Sequence, residues 1–360
     1  MHRLYIVLLV GLVFILGCSD AKSPTQPAYT PTDSTWSDGS GGYYARLDAT
    51  ASGQYRYFDL DTRQVVSLSE SAAATSSAWN LAFSRINGKL NGGAAGPLGV
   101  KGVDLATLGD ADSTAFDSIS SVPAIADDQW KEDVKNFVFS PWYDYDPVQH
   151  VLVPTRNLFV MKTATGKYAK VLVDSLINAG MPPNMGTIVL KYVYQPDGST
   201  NLAEQAQYAR LDGSDGSVFF SFATGGAVNV ADPMNSTAWD IWFDAYDAKI
   251  NASIHGPGTA AVYPMYLENN VFDAVTQAPS GTGQGGYFND AIASIFGAPT
   301  VSGSEWYDYN PVVHEIVSKH HIYILKFPDA THYKLQIANY YLVVEGTPQS
   351  GWVTLRFKEL

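Results

Sequence analysis

Apolar and polar residues alternate with a period of two through much of the chain. In AWNLAFS, Trp79, Leu81 and Phe83 alternate with Asn80, Ala82 and Ser84, the pattern of a strand with one face on a core. AWDIWF repeats it with Trp239, Ile241 and Phe243, although Trp242 falls on the polar side. The same pattern predicts strands over residues 43–48, 55–60, 158–163, 168–174 and 188–194, and again over 218–223, 322–327 and 353–357. Helical spacing is confined to two stretches. DDQWKEDVKNFVF (127–139) has Trp130, Val134, Phe137 and Val138 behind an acidic first turn. YFNDAIASIFG (287–297) has Phe288, Ile292 and Ile295, with Gly297 as a stop. Each predicts one short helix in an otherwise all-β protein.

The pattern occurs twice. PWYDYDPVQH (141–150) and EWYDYNPVVH (305–314) agree at seven of ten positions and lie 164 residues apart. YARLD starts at Tyr44 and at Tyr208, at the same offset; AWNLAF and AWDIWF lie 160 apart. LFVMK and IYILK, and GTIVLKYVYQ and GWVTLRFKEL, follow in the same order. A period this long exceeds any solenoid repeat, so each unit is a whole domain. The turn string QPDGSTN (195–201) marks the boundary. The expected domains are 37–198 and 199–360, two tandem β-sandwich-like units.

Composition narrows the class. The chain is 46% hydrophobic and 16% charged, enough apolar material for packed cores. A formal charge of −13 repels phosphate backbones, which argues against nucleic acid. The single cysteine, Cys18, closes ILGC after an apolar run over 4–16. That run is shorter than the roughly 20 residues of a membrane span. The expectation is a lipoprotein signal peptide over 1–17, with diacylglycerol carried by Cys18. Residues 18–36, rich in Ser, Thr and Pro, form the expected flexible tether. With its one thiol lipidated, the mature protein has no disulfide, and its stability rests on its cores.

WNLAFSRINGKLNGGAAG (79–96) resembles the signature of the HmuY-like haem-binding lipoproteins. WYDYDPVQHVLVPTRNLFVMKTATGKYAKV (142–171) resembles that family's second block. Both repeats carry both blocks, so the likeness covers nearly the whole mature chain. It implies two tandem HmuY-type domains, each a β-rich unit with a cleft on one side, lipid-anchored at the outer face of a two-membrane cell. It also implies haem capture through two His or Met side chains from separate loops, and transfer to an outer-membrane receptor.

The family draws one ligand from the segment between the Gly-rich turn and the second Trp block. In the first repeat that segment, 97–142, contains neither His nor Met; in the second it contains His255 and Met265, and His314 follows Trp306. The resemblance therefore points to the second domain, with His255 or Met265 on one face of a haem and His314 on the other, and with Tyr307 as a stacking aromatic. By alignment with the family, the second ligand falls nearer Asp146 and Asn310, neither of which suits haem iron. His150 and His314 also hold matched places in both copies, as turn residues do. HEIVSKHH lacks the second His four residues after the first that a zinc-protease helix needs. No G-x-S-x-G and no phosphate loop occurs. Asp144, Asp146 and Asp308 have the spacing of a solvated strand face.

Two functions follow as expectations. One is a surface-anchored, non-enzymatic haem-binding lipoprotein of the outer membrane that serves iron acquisition. The other is a structural or adhesive module that binds a glycan or a protein and no haem.

Overall fold

The computed structural model describes residues 31–360 apart from 110–113, 140–141, 182, 265–271, 282–285 and 298–304. The expected signal peptide, Cys18, most of the tether and Met265 lie outside the described residues. Every strand expected from the alternation is present, and every strand pair is antiparallel. The strands make an all-β protein with two sandwich-like cores. The one α-helix among the described residues is the single turn Glu70–Ala73, capped by the Ser69 side chain.

In the first core, the sheet Gln64–Val66, Arg56–Asp59, Leu81–Ser84, Asn87–Leu90 packs on a six-stranded sheet. The order of the latter is Ser34–Ser37, Tyr43–Asp48, Thr347–Glu359, His332–Val344, Ile322–Lys326, Lys101–Asp104. In the second core, Gly226–Val228, Ser217–Ser221, Ile241–Asp244, Asp247–Ile250 packs on a five-stranded sheet. Its order is Gln207–Asp212, Thr187–Gln195, Tyr168–Ile177, Phe159–Lys162, Ala261–Pro264. Leu81 and Phe83 enter the first core and Ile241 and Phe243 the second, as their period predicts. Trp79 and Trp239, equally buried, precede the strands and pack elsewhere, Trp79 with Tyr57, Ala73 and Ala82 and Trp239 on Phe219.

Hydrogen bonding groups the residues differently from the repeats 37–198 and 199–360. Leu47 pairs with Val353 and Val103 with Ile324, so the front half of the first repeat is closed by the back half of the second. Met161 pairs with Val262 and Ile188 with Leu211, the reciprocal closure. The chain crosses between cores through Val134–Asn136 and Ala291–Ala293, which pair with each other, Lys135 opposite Ile292.

These crossovers lie where helices were expected, over 127–139 and 287–297. Only Asp127–Gln129 makes a short 3-10 turn there. The apolar residues serve different surroundings: Val138 and Phe139 enter the second core, while Val134 is exposed. The backbone bonds leave the segment, to bridges Gly102–Lys131 and Val262–Phe288 and to the Asp290 carboxylate, which accepts from Val138 N–H at 2.9 Å. Tertiary pairing overrides helical spacing in so short a segment.

Buried polar groups hold the exchange. Lys170 Nζ donates to the carbonyls of Phe272 (2.7 Å) and Val275 (2.9 Å). Lys334 Nζ donates to those of Phe116 and Ile119, both at 2.6 Å. Each ammonium also sits over a phenyl ring, of Phe272 at 4.4 Å or of Phe116 at 4.2 Å. Each repeat thus clasps the long loop of the other with one charge-assisted donor. Burial pushes both lysine pKa values down.

Lys334→Met leaves two buried carbonyls without a donor. It should cost about 2–4 kcal/mol in denaturant unfolding; a cost near zero would show that the clasp contributes nothing. Burial raises the Asp133 carboxyl to about 8 and Asp290 to about 7. The folded state then keeps protons that the unfolded chain sheds near pH 4. Stability should therefore fall as pH rises from 4 to 8. A melting temperature flat over that window, or one that Asp133→Asn leaves just as steep, would contradict this.

Candidate functional site

The two matched decapeptides form a pair of hairpins. Tyr143–Asp146 pairs with Val151–Pro154, and Tyr307–Asn310 with Glu315–Ser318; each pair is a two-stranded sheet of its own. A buried indole roots each one. Trp142 Nε1 donates to the Tyr246 carbonyl at 3.0 Å, and Trp306 Nε1 to that of Ile86 at 2.8 Å. Both bonds run from one repeat to the other. Tyr143 and Tyr307 pack edge-on against these indoles and are half-buried. Burial, then the nearby Glu305, raises the Tyr307 phenol to about 12.

The turns are built from their own side chains. The Asp146 carboxylate accepts from Val148 and Gln149 N–H, and Asn310 Oδ1 accepts from Val312 N–H. Asp144 and Asp308 are exposed, as a solvated strand face requires. His150 and His314 both adopt φ of 55°, the left-handed conformation that His tolerates better than most residues. Each imidazole is then met by a phenol five residues earlier. Tyr145 Oη lies 2.8 Å from His150 Nδ1, and Tyr309 Oη lies 2.6 Å from His314 Nδ1. Nδ1 is thus engaged on an exposed ring; Nε2 has a free lone pair in the tautomer whose Nδ1–H donates to the phenol oxygen, and carries the proton in the tautomer whose phenol donates. The same turns expose Val148 (86%), Val312 (85%) and Val313 (61%). The Tyr–His bond depends on strand register, so the sequence shows it only as an aromatic–His spacing shared by both repeats.

The expected ligands do not converge. His255 is buried in the turn after Asp247–Ile250, belonging to the second core. Its ring stacks on Phe137 at 5.6 Å, and its Nε2 makes no hydrogen bond. Burial, reinforced by Lys249 and Lys135, lowers its pKa to about 3. Its 3.8 Å approach to Asp290 Oδ2 is therefore not an ion pair at neutral pH, since the imidazole is uncharged. His314 belongs to a hairpin packed on the first core. Met265 is outside the described residues. A haem held between His255 and His314 does not fit: one donor is sealed inside one core and the other is exposed on the other core. Tyr307 instead lines a cavity of about 290 Å³ with Ile86, Phe288, Ile292 and Phe296, and that lining contains no imidazole or thioether. Among the described residues no three His, Cys, Asp or Glu side chains gather as a metal site.

Comparison with known proteins follows the same lines. The sequence profile of the HmuY protein family matches residues 52–192 and 214–357. A HmuY-like heme binding protein from Bacteroides vulgatus is 10% identical, with 89% of this chain and 93% of that one covered and a TM-score of 0.34. A lipoprotein from Bacteroides fragilis is 11% identical, covering 90% and 93%, with a TM-score of 0.33. The apo HmuY analog of Tannerella forsythia is 11% identical, covering 91% and 96%, with a TM-score of 0.34. No curated protein matches the chain.

Acylation by diethyl pyrocarbonate should separate the histidines. His150 and His314 should react in the folded protein, and His255 only after unfolding, as read by peptide mass spectrometry. Equal reaction of His255 would contradict its burial.

Proposed function

The chain belongs to the HmuY family, and from that premise we propose that it is an exported, non-enzymatic, haem-binding lipoprotein. Diacylglycerol on Cys18 anchors it to the outer membrane, and it hands haem to an outer-membrane receptor. The observation that carries the reading is the exposed imidazole at each hairpin tip, with Nδ1 engaged by a tyrosine hydroxyl. A haem iron supplies an open coordination position that such a nitrogen fills.

The second repeat is the stronger site. Its tip presents two exposed valines, Val312 and Val313, beside His314, whereas the first presents Val148 and the polar Gln149. Apolar side chains favour contact with a porphyrin face. Tyr309 orients His314; Trp306 roots the hairpin whose turn carries it.

Haemin titration of the full chain, followed at the Soret band, tests this. The wild-type chain should give a red-shifted band. His314→Ala should remove most of it, His150→Ala less, and the double variant all of it, while His255→Ala changes nothing. A spectrum of free haemin with wild-type protein would reject haem binding and leave the adhesive module, which binds a glycan or a protein, as the reading to pursue. A band unchanged in the double variant would move the site elsewhere.

A further inference from the structure

We infer that the exchange of halves between repeats is selected by mismatched residues along the seam, so that residues 33–360 fold as one unit and neither repeat closes on itself. The two repeats are alike enough that each back half has two candidate partners within the chain. Three differences between equivalent positions break the tie, and all three favour the exchanged arrangement.

The first concerns a buried carboxylate. Asp240 accepts from Phe222 N–H and Ala164 N–H, both at 2.8 Å. Ala164 comes from the first repeat and Asp240 from the second. In the other core the equivalent positions are Asn80, which accepts from Leu60 N–H, and Pro328, which has no N–H to give. Asn80 and Pro328 line one pocket, so they face each other across the same seam. Exchange places the carboxylate opposite the N–H and the neutral amide opposite the proline. Self-closure would place Asp240 opposite Pro328 and leave a buried carboxylate short of a donor.

The second difference is one of volume. A Cβ added to Gly102 would lie 2.4 Å from Ile295 Cδ1, and one added to Gly88 would lie 2.7 Å from a Phe296 ring carbon. The equivalents of these glycines are Val262 and Ala248; those of Ile295 and Phe296 are Val138 and Phe139. Self-closure would set Val262 against Ile295, whose Cδ1 would have to swing away among Leu325 and Leu90 to admit the larger side chain. It would also leave Gly102 facing the smaller Val138.

The third is a phenol. Tyr333 Oη donates to Asp61 Oδ1 at 2.6 Å, between the repeats. The equivalent pair in the second core is Ala169 and Ala223. Self-closure would place Tyr333 beside Ala223 and Asp61 beside Ala169, which separates the two polar groups.

Cross-linking of the full chain in a Cys18→Ser background tests the inference. Lys101 stands opposite Lys326 in the ladder, whereas self-closure would set it opposite Lys162. Directly opposed antiparallel residues lie within disulfide reach. Lys101→Cys with Lys326→Cys should oxidise to a bond within one chain, and Lys101→Cys with Lys162→Cys should stay reduced. A double-mutant cycle is the second arm. Asn80→Asp should lower Tm by about 3 °C or more, with Pro328→Ala restoring most of the loss. Asn80→Asp together with Ala164→Pro should show additive effects. A disulfide formed by the second pair, a disulfide-linked dimer from the first pair, or coupling of position 80 to 164 rather than 328 would overturn the inference. So would failure of the first pair to bond.

Discussion

The backbone ladder between the front half of one repeat and the back half of the other is the constraint on which everything else rests. Lys101–Asp104 and Tyr43–Asp48 bracket a sheet whose three inner strands all come from the end of the chain. Without them, the strands Ile322–Lys326 and Thr347–Glu359 would present unpaired N–H and C=O groups beside the apolar surface of Leu325, Val353 and Leu355. Such an edge costs hydrogen bonds and invites association with other chains. Each half therefore needs a partner, and the partner is in the same polypeptide but in the other repeat. The two crossing strands, paired with each other at Lys135 and Ile292, join the two cores.

Buried polar groups anchor this arrangement in the same way in both cores. Apolar packing alone tolerates many partners of similar volume. An ammonium such as that of Lys170 or Lys334 is satisfied only where two carbonyls converge, and both find them in a loop of the opposite repeat. Indole N–H groups of Trp142 and Trp306 likewise end on carbonyls of the opposite repeat. These donors and their carbonyls are alike in the two repeats, so they hold whichever halves meet, where an unmade bond would cost more than a made one contributes, and they leave the choice of partner to the positions that differ.

The same architecture produces the candidate site. Each hairpin is fixed at its base by a buried indole and half-buried tyrosine and free at its tip, where imidazole, phenol and valine meet solvent. Rigid support with an exposed tip suits capture of a ligand from solution, because little ordering remains to be done on binding. The base of each hairpin is set by the repeat it does not belong to, so the candidate site and the exchange are structurally linked.

Strands, repeat and matched hairpins were legible in the sequence because they rest on local spacing. Leu81 and Phe83 declare their face by alternation, whatever they pack against, but Trp79, just before the strand, packs with Ala82 of the other face. The helices expected over 127–139 and 287–297 were not real, since apolar residues at helical spacing were serving two separate surroundings. The Tyr–His contacts were out of reach because a spacing of five becomes a contact only once a turn sets the register. His255 had the chemistry of a ligand, but only burial against Phe137 decided that its nitrogen is sealed. Above all, the sequence alone determined that two similar units exist, and tertiary structure decided which halves join. Local pattern is the same in both copies, so the choice falls to a few differences, such as Gly102 against Val262 and Asn80 against Asp240, that acquire meaning only across the seam.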